Sequence, residues 1–438
     1  MFSDLASLLT RFSELGAVRA FCKPLAENDN SKQQIYLGGN LDVVQMFPFQ
    51  KVEATPNGKD STYKAKLDFS WIDSSMTERA AGAQLILYPQ YPEVRLSGFL
   101  RGCKHAPNEH LRPVPTGQRR FNNGSDGRIL FFGITRDGET LAYLAPADSA
   151  LAQEFRHRQA EKKFPQESVF FNLPLLGRDS KSILLEKLAE IRDFGWQPSI
   201  RLSKAGIIVP CTARNGGGYT LEALLGIIPN GRAEPDFMGW EIKAFSSSRI
   251  TLMTPEPDGG MYREQGVKAF VREFGHPAGN DTLYFTGTHR VSYRNEKTGL
   301  MLAVRGFNPA RNVIDDVGGA VELLTDTGHC AAAWSFRGLM IGWNKKHAQA
   351  AYVSYERHKE KEKEKAPTYR YYSPTLMGEG TDLTRYLAAL CAGQVIFDPG
   401  SKVMEASTAK PTVKARSQFR ISVKDLDGLY QKFEPVTF

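Results

Sequence analysis

An α/β (α+β) domain with a mixed sheet flanked by helices, preceded by a mostly β domain, is the fold class this sequence predicts. Three observations carry it. Over residues 1–150, short apolar runs of strand length recur between Gly, Pro, Asn and Asp clusters. Beyond about residue 176, helix-period and strand-period segments alternate. Between them, residues 151–175 form a highly charged stretch broken by Pro165, which reads as a linker. The length of 438 residues suits two or three domains.

In the first part a helix is expected over Leu5–Leu15. Strands are expected at Gln33–Leu37, Tyr63–Trp71, Gln84–Leu87, Glu93–Leu100, Arg128–Ile134 and Thr140–Leu144. Clusters such as Pro56-Asn57-Gly58 and Asp137-Gly138 separate them. That spacing suits a sandwich or small barrel. From Arg95 to Arg120 the chain carries Arg95, Arg101, Lys104, Arg112, Arg119 and Arg120, with His105 and His110, against a single acid, Glu109. Its prolines and Gly117 predict an irregular surface loop. A basic loop on a β scaffold suits the DNA backbone; a solvated loop with no partner is the plainer alternative.

A charged helix is expected over 147–163. Lys181–Phe194 reads as an amphipathic helix, with Ile183, Leu184, Leu188 and Ile191 as its core stripe and Gly195 ending it. Gly216-Gly217-Gly218 lacks the Gly-Lys-Ser/Thr ending of a phosphate loop and opens a helix near Leu221–Leu225. Strands follow at Ile250–Met253, Thr282–Thr286, Leu300–Val304, Ala351–Tyr355, Gln394–Phe397 and Phe419–Val423. Helices are expected at Gln265–Phe274, Phe336–His347, Asp382–Cys391 and Leu426–Lys432. The sign-alternating run Glu356–Lys365 reads as a solvated helix end.

Composition narrows the class. No run is apolar enough to span a bilayer, and the N-terminus lacks a secretory pattern. The scattered Cys22, Cys103, Cys211, Cys330 and Cys391 contain no Cys-x-x-Cys pair, which argues against zinc and a disulfide framework and for a reducing cytoplasm. A net charge of +8 suits a polyanionic partner.

The chemistry concentrates in Pro235-Asp-Phe-Met-Gly-Trp-Glu-Ile-Lys243. On a strand, Glu241 and Lys243 share one face while Trp240, Ile242 and Ala244 share the other. Pro235 and Gly239 suit a turn returning Asp236 to Glu241. Two carboxylates at one point repel unless a cation separates them. Mg²⁺, with Mn²⁺ as a substitute, takes such oxygen ligands and acidifies bound water. Lys243 would orient that water or neutralise phosphate charge. Glu222, in the helix just upstream, is either a partner of the helix dipole or a third carboxylate. A surface salt bridge on an exposed strand would give the same string.

Residues Gly218-Tyr219-Thr220-Leu221-Glu222, Leu225-Gly226-Ile227, Pro229-Asn230, Pro235-Asp236, Trp240-Glu241-Ile242-Lys243 and Thr251-Leu252-Met253-Thr254 resemble the MvaI/BcnI family of type II restriction endonucleases. The run Trp343-Asn344-Lys345-Lys346-His347 before an Ala-Tyr-Val strand is similar too. The resemblance covers about residues 170–438. It implies a MutH-like PD-(D/E)xK nuclease acting as a monomer on double-stranded DNA at CCNGG-type sites, one strand at a time, with Mg²⁺. It assigns Asp236 and Glu241 to the metal, Lys243 to the water and Glu222 as the helix carboxylate. Arg249, His289, Arg290, Lys345 and Lys346 are further candidates for DNA contact. It also implies a restriction-modification setting in a prokaryotic cytoplasm, with a cognate methyltransferase and a role in phage defence. Leu25-Ala26-Glu27-Asn28-Asp29-Asn30, Met46-Phe47-Pro48 and the basic loop resemble the B3-like effector domain of EcoRII and UbaLAI. That implies a pseudobarrel over 1–150 that binds a second DNA copy, ahead of a nuclease domain over 176–438. The His-Gln pair of that domain is absent here; Gln33-Gln34 stands nearby.

Two rivals stand beside a site-specific endonuclease. One is a nicking or defence nuclease gated by modified or foreign DNA sensed by the N-terminal domain. The other is a DNA-binding protein with a vestigial nuclease site.

Overall fold

The computed structural model describes residues 2–30, 33–39, 41–49, 51–55, 61–91, 93–118, 125–175, 180–213, 215–228, 236–358 and 366–438. Its contacts cluster into two units, Met1–Ser180 and Lys181–Phe438.

The first unit contains α1 (Leu5–Glu14), then strands β1 (Ala17–Ala26), β2 (Gln34–Gly38), β3 (Val52–Thr55), β4 (Thr62–Lys66), β5 (Asp68–Ile72), β6 (Thr77–Arg79), β7 (Gln84–Tyr88), β8 (Glu93–Ser97), β9 (Ser125–Thr135) and β10 (Glu139–Ala145). The stretch read as a linker holds α2 (Ala150–Ala160), β11 (Gln166–Glu167) and β12 (Phe170–Leu173), and β12 pairs with β1. One sheet runs β11-β12-β1-β9-β10-β5-β6, the other β2-β8-β7-β4-β3. Asp4 caps α1, its carboxylate accepting the Ser7 N–H. The helix's apolar stripe, Leu5, Leu8, Leu9 and Phe12, then packs on Phe131 and Leu151.

Two readings change here. The expected single strand Tyr63–Trp71 is two strands, β4 and β5, in different sheets, because the chain crosses over at Leu67, whose N–H bonds the Ala83 carbonyl. The central strand β1 has no counterpart in the expected elements, since Lys23 and Pro24 interrupt its apolar pattern. Lys23 is buried against Asp29 at 2.5 Å, and Pro24 falls at a register shift against β9.

The second unit begins with α3 (Ser180–Asp193), β13 (Gln197–Pro198), the hairpin of β14 (Ile200–Leu202) and β15 (Ile208–Pro210), α4 (Gly216–Leu224), β16 (Glu241–Phe245), β17 (Arg249–Met253) and α5 (Gly260–Phe274). Its principal sheet runs β13, Thr368–Glu379, Gln349–His358, β16, with Lys432–Val436 also on Thr368–Glu379. β16 runs parallel to Gln349–His358; the other pairings are antiparallel, so the sheet is mixed, as expected. Strand Thr368–Glu379 is absent from the expected elements because Pro374 and Gly378 read as breakers. Pro374 falls at a register shift, where an unpaired position costs no ladder bond. Gly378 packs under the Tyr430 ring, where a Cβ would lie 2.5 Å from its carbon atoms. The expected helix Leu426–Lys432 is a 3-10 turn, Val423–Leu429, followed by an edge strand. The run 359–365 lies outside the described residues.

Candidate active site

Apolar packing fixes the strand that bears the chemistry. Trp240 and Ile242, 1% and 5% exposed, face Leu184, Leu188 and Ile191 of α3, Leu221 of α4, and Ala351 and Val353 of the neighbouring strand. Trp240, Ile242 and Ala244 thus point to one face, and Glu241 and Lys243 must point to the other. Tyr352, in register with Lys243, shares that second face.

A tight turn returns Asp236. The N–H of Phe237 and the N–H of Trp240 each bond the other's carbonyl, at 2.9 and 2.8 Å. Between them Met238 and Gly239 have φ of 47° and 93°, the two positive values of a type I′ turn. Only the Gly half of that turn is free of strain. The Asp236 carboxylate accepts the Ile242 N–H at 3.0 Å, which places it one residue from Glu241. Pro235 lies outside the described residues, so its expected part in the turn is not described.

Glu241 is 1% exposed, and its carboxylate accepts the Lys243 ammonium at 2.5 Å. Burial alone would pull the Lys243 pKa down. Glu241, then Asp236 and Glu222, outweigh it and hold the ammonium above its ordinary value. All three carboxylates predicted for the site therefore act on one cation. Glu222 comes from α4, and β16 is an edge strand, so a helix on the apolar face can bring a carboxylate round the sheet margin.

Glycines set how close α4 lies. A Cβ at Gly216 would sit 2.5 Å from the Tyr369 hydroxyl, and one at Gly217 would sit 2.4 Å from the Tyr355 ring. Tyr371 donates its hydroxyl proton to the Gly217 carbonyl at 2.6 Å. These tyrosines were not among the expected site residues. Beneath Glu241, Tyr352 and Tyr430 share a buried hydroxyl pair at 2.7 Å, also unforeseen. Burial, with the field of Glu241, pushes both phenols well up, so they stay neutral.

Asp236 and Glu241 are the oxygen donors that could hold a hard cation. Among the described residues no group of three or more His, Cys, Asp or Glu is arranged to hold a metal ion. A two-carboxylate set is what Mg²⁺ accepts when water and phosphate fill its other positions.

The DNA-contact candidates divide. Arg101, Lys104, Arg112, Arg249 and Arg290 are exposed. Arg95 is half-buried, paired with Glu93 at 2.7 Å. His289 is a correction: it is 0% exposed, stacked on Phe285 and bonded to Thr298 Oγ1 at 2.8 Å. Burial lowers its pKa to about 4, so it is a neutral core ring that no phosphate can reach. Arg119 and Arg120, and the side chains of Lys345 and Lys346, lie outside the described residues.

The family model described as "MvaI/BcnI restriction endonuclease family" matches residues 185–430, more than half of the chain and all four of Glu222, Asp236, Glu241 and Lys243. The chain belongs to the MvaI/BcnI restriction endonuclease family. As a member it is a type II site-specific deoxyribonuclease. Solved structures similar to it include the following two. A restriction endonuclease MvaI–cognate DNA substrate complex has a TM-score of 0.45 at 18% identity, covering 59% of this chain and 99% of that one. Restriction endonuclease MvaI in the absence of DNA has a TM-score of 0.33 at 16% identity, covering 60% of this chain and 99% of that one. No curated protein matches the chain. No helix among the described residues is long and apolar enough to cross a membrane.

Proposed function

We propose that this chain is a Mg²⁺-dependent endonuclease that hydrolyses phosphodiesters of double-stranded DNA at a CCNGG-type site, with Mn²⁺ able to substitute. The arrangement of Asp236, held on the Ile242 N–H beside buried Glu241 with Lys243 against it, supports this reading most directly. Asp236 and Glu241 would hold the metal, which supplies an acidified water and charge neutralisation. Lys243, as an ammonium, orients the attacking water and meets charge growing on the phosphate. Glu222 completes the negative field that keeps Lys243 charged. The gathering of all four residues argues against a vestigial site.

Incubation of the full chain with phage DNA in Mg²⁺, Mn²⁺ or EDTA tests it. Discrete fragments with either metal, ending at one CCNGG-type sequence, are expected. Intact DNA in every condition would refute the proposal.

The N-terminal region, residues 1–150, is in our reading a B3-like module that binds a second DNA copy ahead of the nuclease region 176–438. The protein would act as a monomer in a prokaryotic cytoplasm, alongside a cognate methyltransferase, against phage. A gated defence nuclease is the second reading. What favours it is how firmly the basic loop is held. Arg128 bonds the carbonyls of His110 and Arg112 at 2.8 and 3.5 Å, and Glu78 accepts the N–H groups of Lys104 and His105. Arg101, Lys104 and Arg112 remain exposed on that anchored loop. An N-terminal truncation that cuts every site as fast as the full chain would remove the need for gating.

A further inference from the structure

The first unit contains a cavity of about 220 Å³ where β5, β6 and β10 meet the basic loop. Its size is roughly seven times a water's share of liquid volume, too small for a drug-sized ligand but ample for one planar heterocycle. We propose that it receives a single nucleobase carrying an exocyclic amine, turned out of DNA. The proposal rests on the reading of the basic loop as a DNA contact.

The walls suit a flat ring. Trp71 and Tyr143 line the cavity, 4% and 7% exposed. Trp71 is fixed by donating its indole N–H to the Phe99 carbonyl at 2.7 Å, and Tyr143 by an edge contact with Phe2 at 4.8 Å. What these rings expose gives the cavity a rigid apolar wall against which a flat base can pack. Polar groups at the rim point to a donor edge. The Asp73 carboxylate accepts the N–H groups of Ser75 and Met76, both at 2.7 Å, and these bonds hold its pKa below the usual range. Glu78 is lowered in the same way by the N–H groups of Lys104 and His105. Both carboxylates are therefore acceptors at neutral pH, matched to an amine such as cytosine N4 or adenine N6. His105 and His110 line the same cavity from the loop that carries exposed Arg101, Lys104 and Arg112. The loop that carries these cations thus also forms one wall of the cavity, so a base entering it would leave its phosphates beside them.

Extrusion costs least for a mispaired base. The test compares binding of the full chain, in EDTA, to two duplexes that differ by one mismatched cytosine. The native chain should prefer the mismatched duplex by about tenfold. Met76→Trp fills the cavity from a position that is 36% exposed, and should abolish the preference while matched-duplex affinity stays unchanged. His110→Leu, a second variant with a melting curve as control, should weaken the preference as well. Arg101→Ala/Lys104→Ala/Arg112→Ala should weaken both duplexes alike. No mismatch preference in the native chain, or one surviving both cavity variants, overturns the base site even where the triple variant upholds the loop's DNA role. A triple variant without effect on the matched duplex removes the loop reading while leaving a preference that Met76→Trp abolishes to support the pocket. Free deoxycytidine monophosphate binding as tightly as the mismatched duplex would make the ligand a free nucleotide and overturn the claim.

Discussion

Gly217→Ala separates the packing of α4 from the chemistry it delivers. The added Cβ would lie 2.4, 2.5 and 2.9 Å from three atoms of the Tyr355 ring. Carbon atoms need about 3.5 Å, so helix or ring must give by about 1 Å. Overpacking of this kind costs about 1–3 kcal/mol, offset by about 1 kcal/mol of helix propensity. Net destabilisation is therefore small, about 0–2 kcal/mol on the same figures. Activity should suffer more, because a displacement of about 1 Å in a catalytic constellation can cost on the order of 10²-fold. Gly218→Ala is the control, since a Cβ there meets nothing within 4 Å. It should leave cleavage intact and raise stability by up to about 1 kcal/mol. Adding Tyr355→Leu to Gly217→Ala should recover part of the lost rate. The assay is single-turnover cleavage with saturating protein, alongside urea unfolding. If Gly217→Ala cleaves as fast as Gly218→Ala, close packing of α4 does not place Glu222, and the reasoning fails.

Lys243→Met leaves the Glu241 carboxylate buried without its ammonium, and should cost about 3 kcal/mol in urea unfolding without metal; a change below about 1 kcal/mol would show the pair to be solvent-relaxed. His289 gives a pH signature. Its folded pKa of about 4 lies below the ordinary 6.5, so the unfolded chain binds more protons in that window. Stability should be full above about pH 6.5 and fall by about 3 kcal/mol on descent to about pH 4, a slope that His289→Gln should flatten. Neutralising Arg101, Lys104 and Arg112 together should lower the salt slope of DNA binding by about 0.9 for each phosphate these cations neutralise; an unchanged slope would exclude them.

The site was more legible than the fold around it. Alternation over Trp240–Lys243 fixes which residues are inside, and one apolar face buried under α3 and α4 leaves Glu241 and Lys243 no other direction. Gly239 marked the turn, although the positive φ of Met238 carries no sequence sign. In the sequence the glycines at 216 and 217 read only as opening a helix; packing reveals that tyrosines from distant strands lie against them. His289 resembled a surface ligand because a string shows neither Phe285 nor Thr298 around it. Strands β1 and Thr368–Glu379 stayed hidden for a related reason. Their prolines sit at register shifts, and the buried Lys23 is answered by Asp29, so tertiary pairing overrides local propensity.

Asp236→Ala puts the central claim to its most direct test. Single-turnover cleavage of one duplex in Mg²⁺, with binding of the same duplex measured in parallel, should fall by at least about 10³-fold while affinity stays within a few-fold, because phosphate contacts elsewhere hold the DNA. Cleavage at the native rate by Asp236→Ala would contradict the account outright.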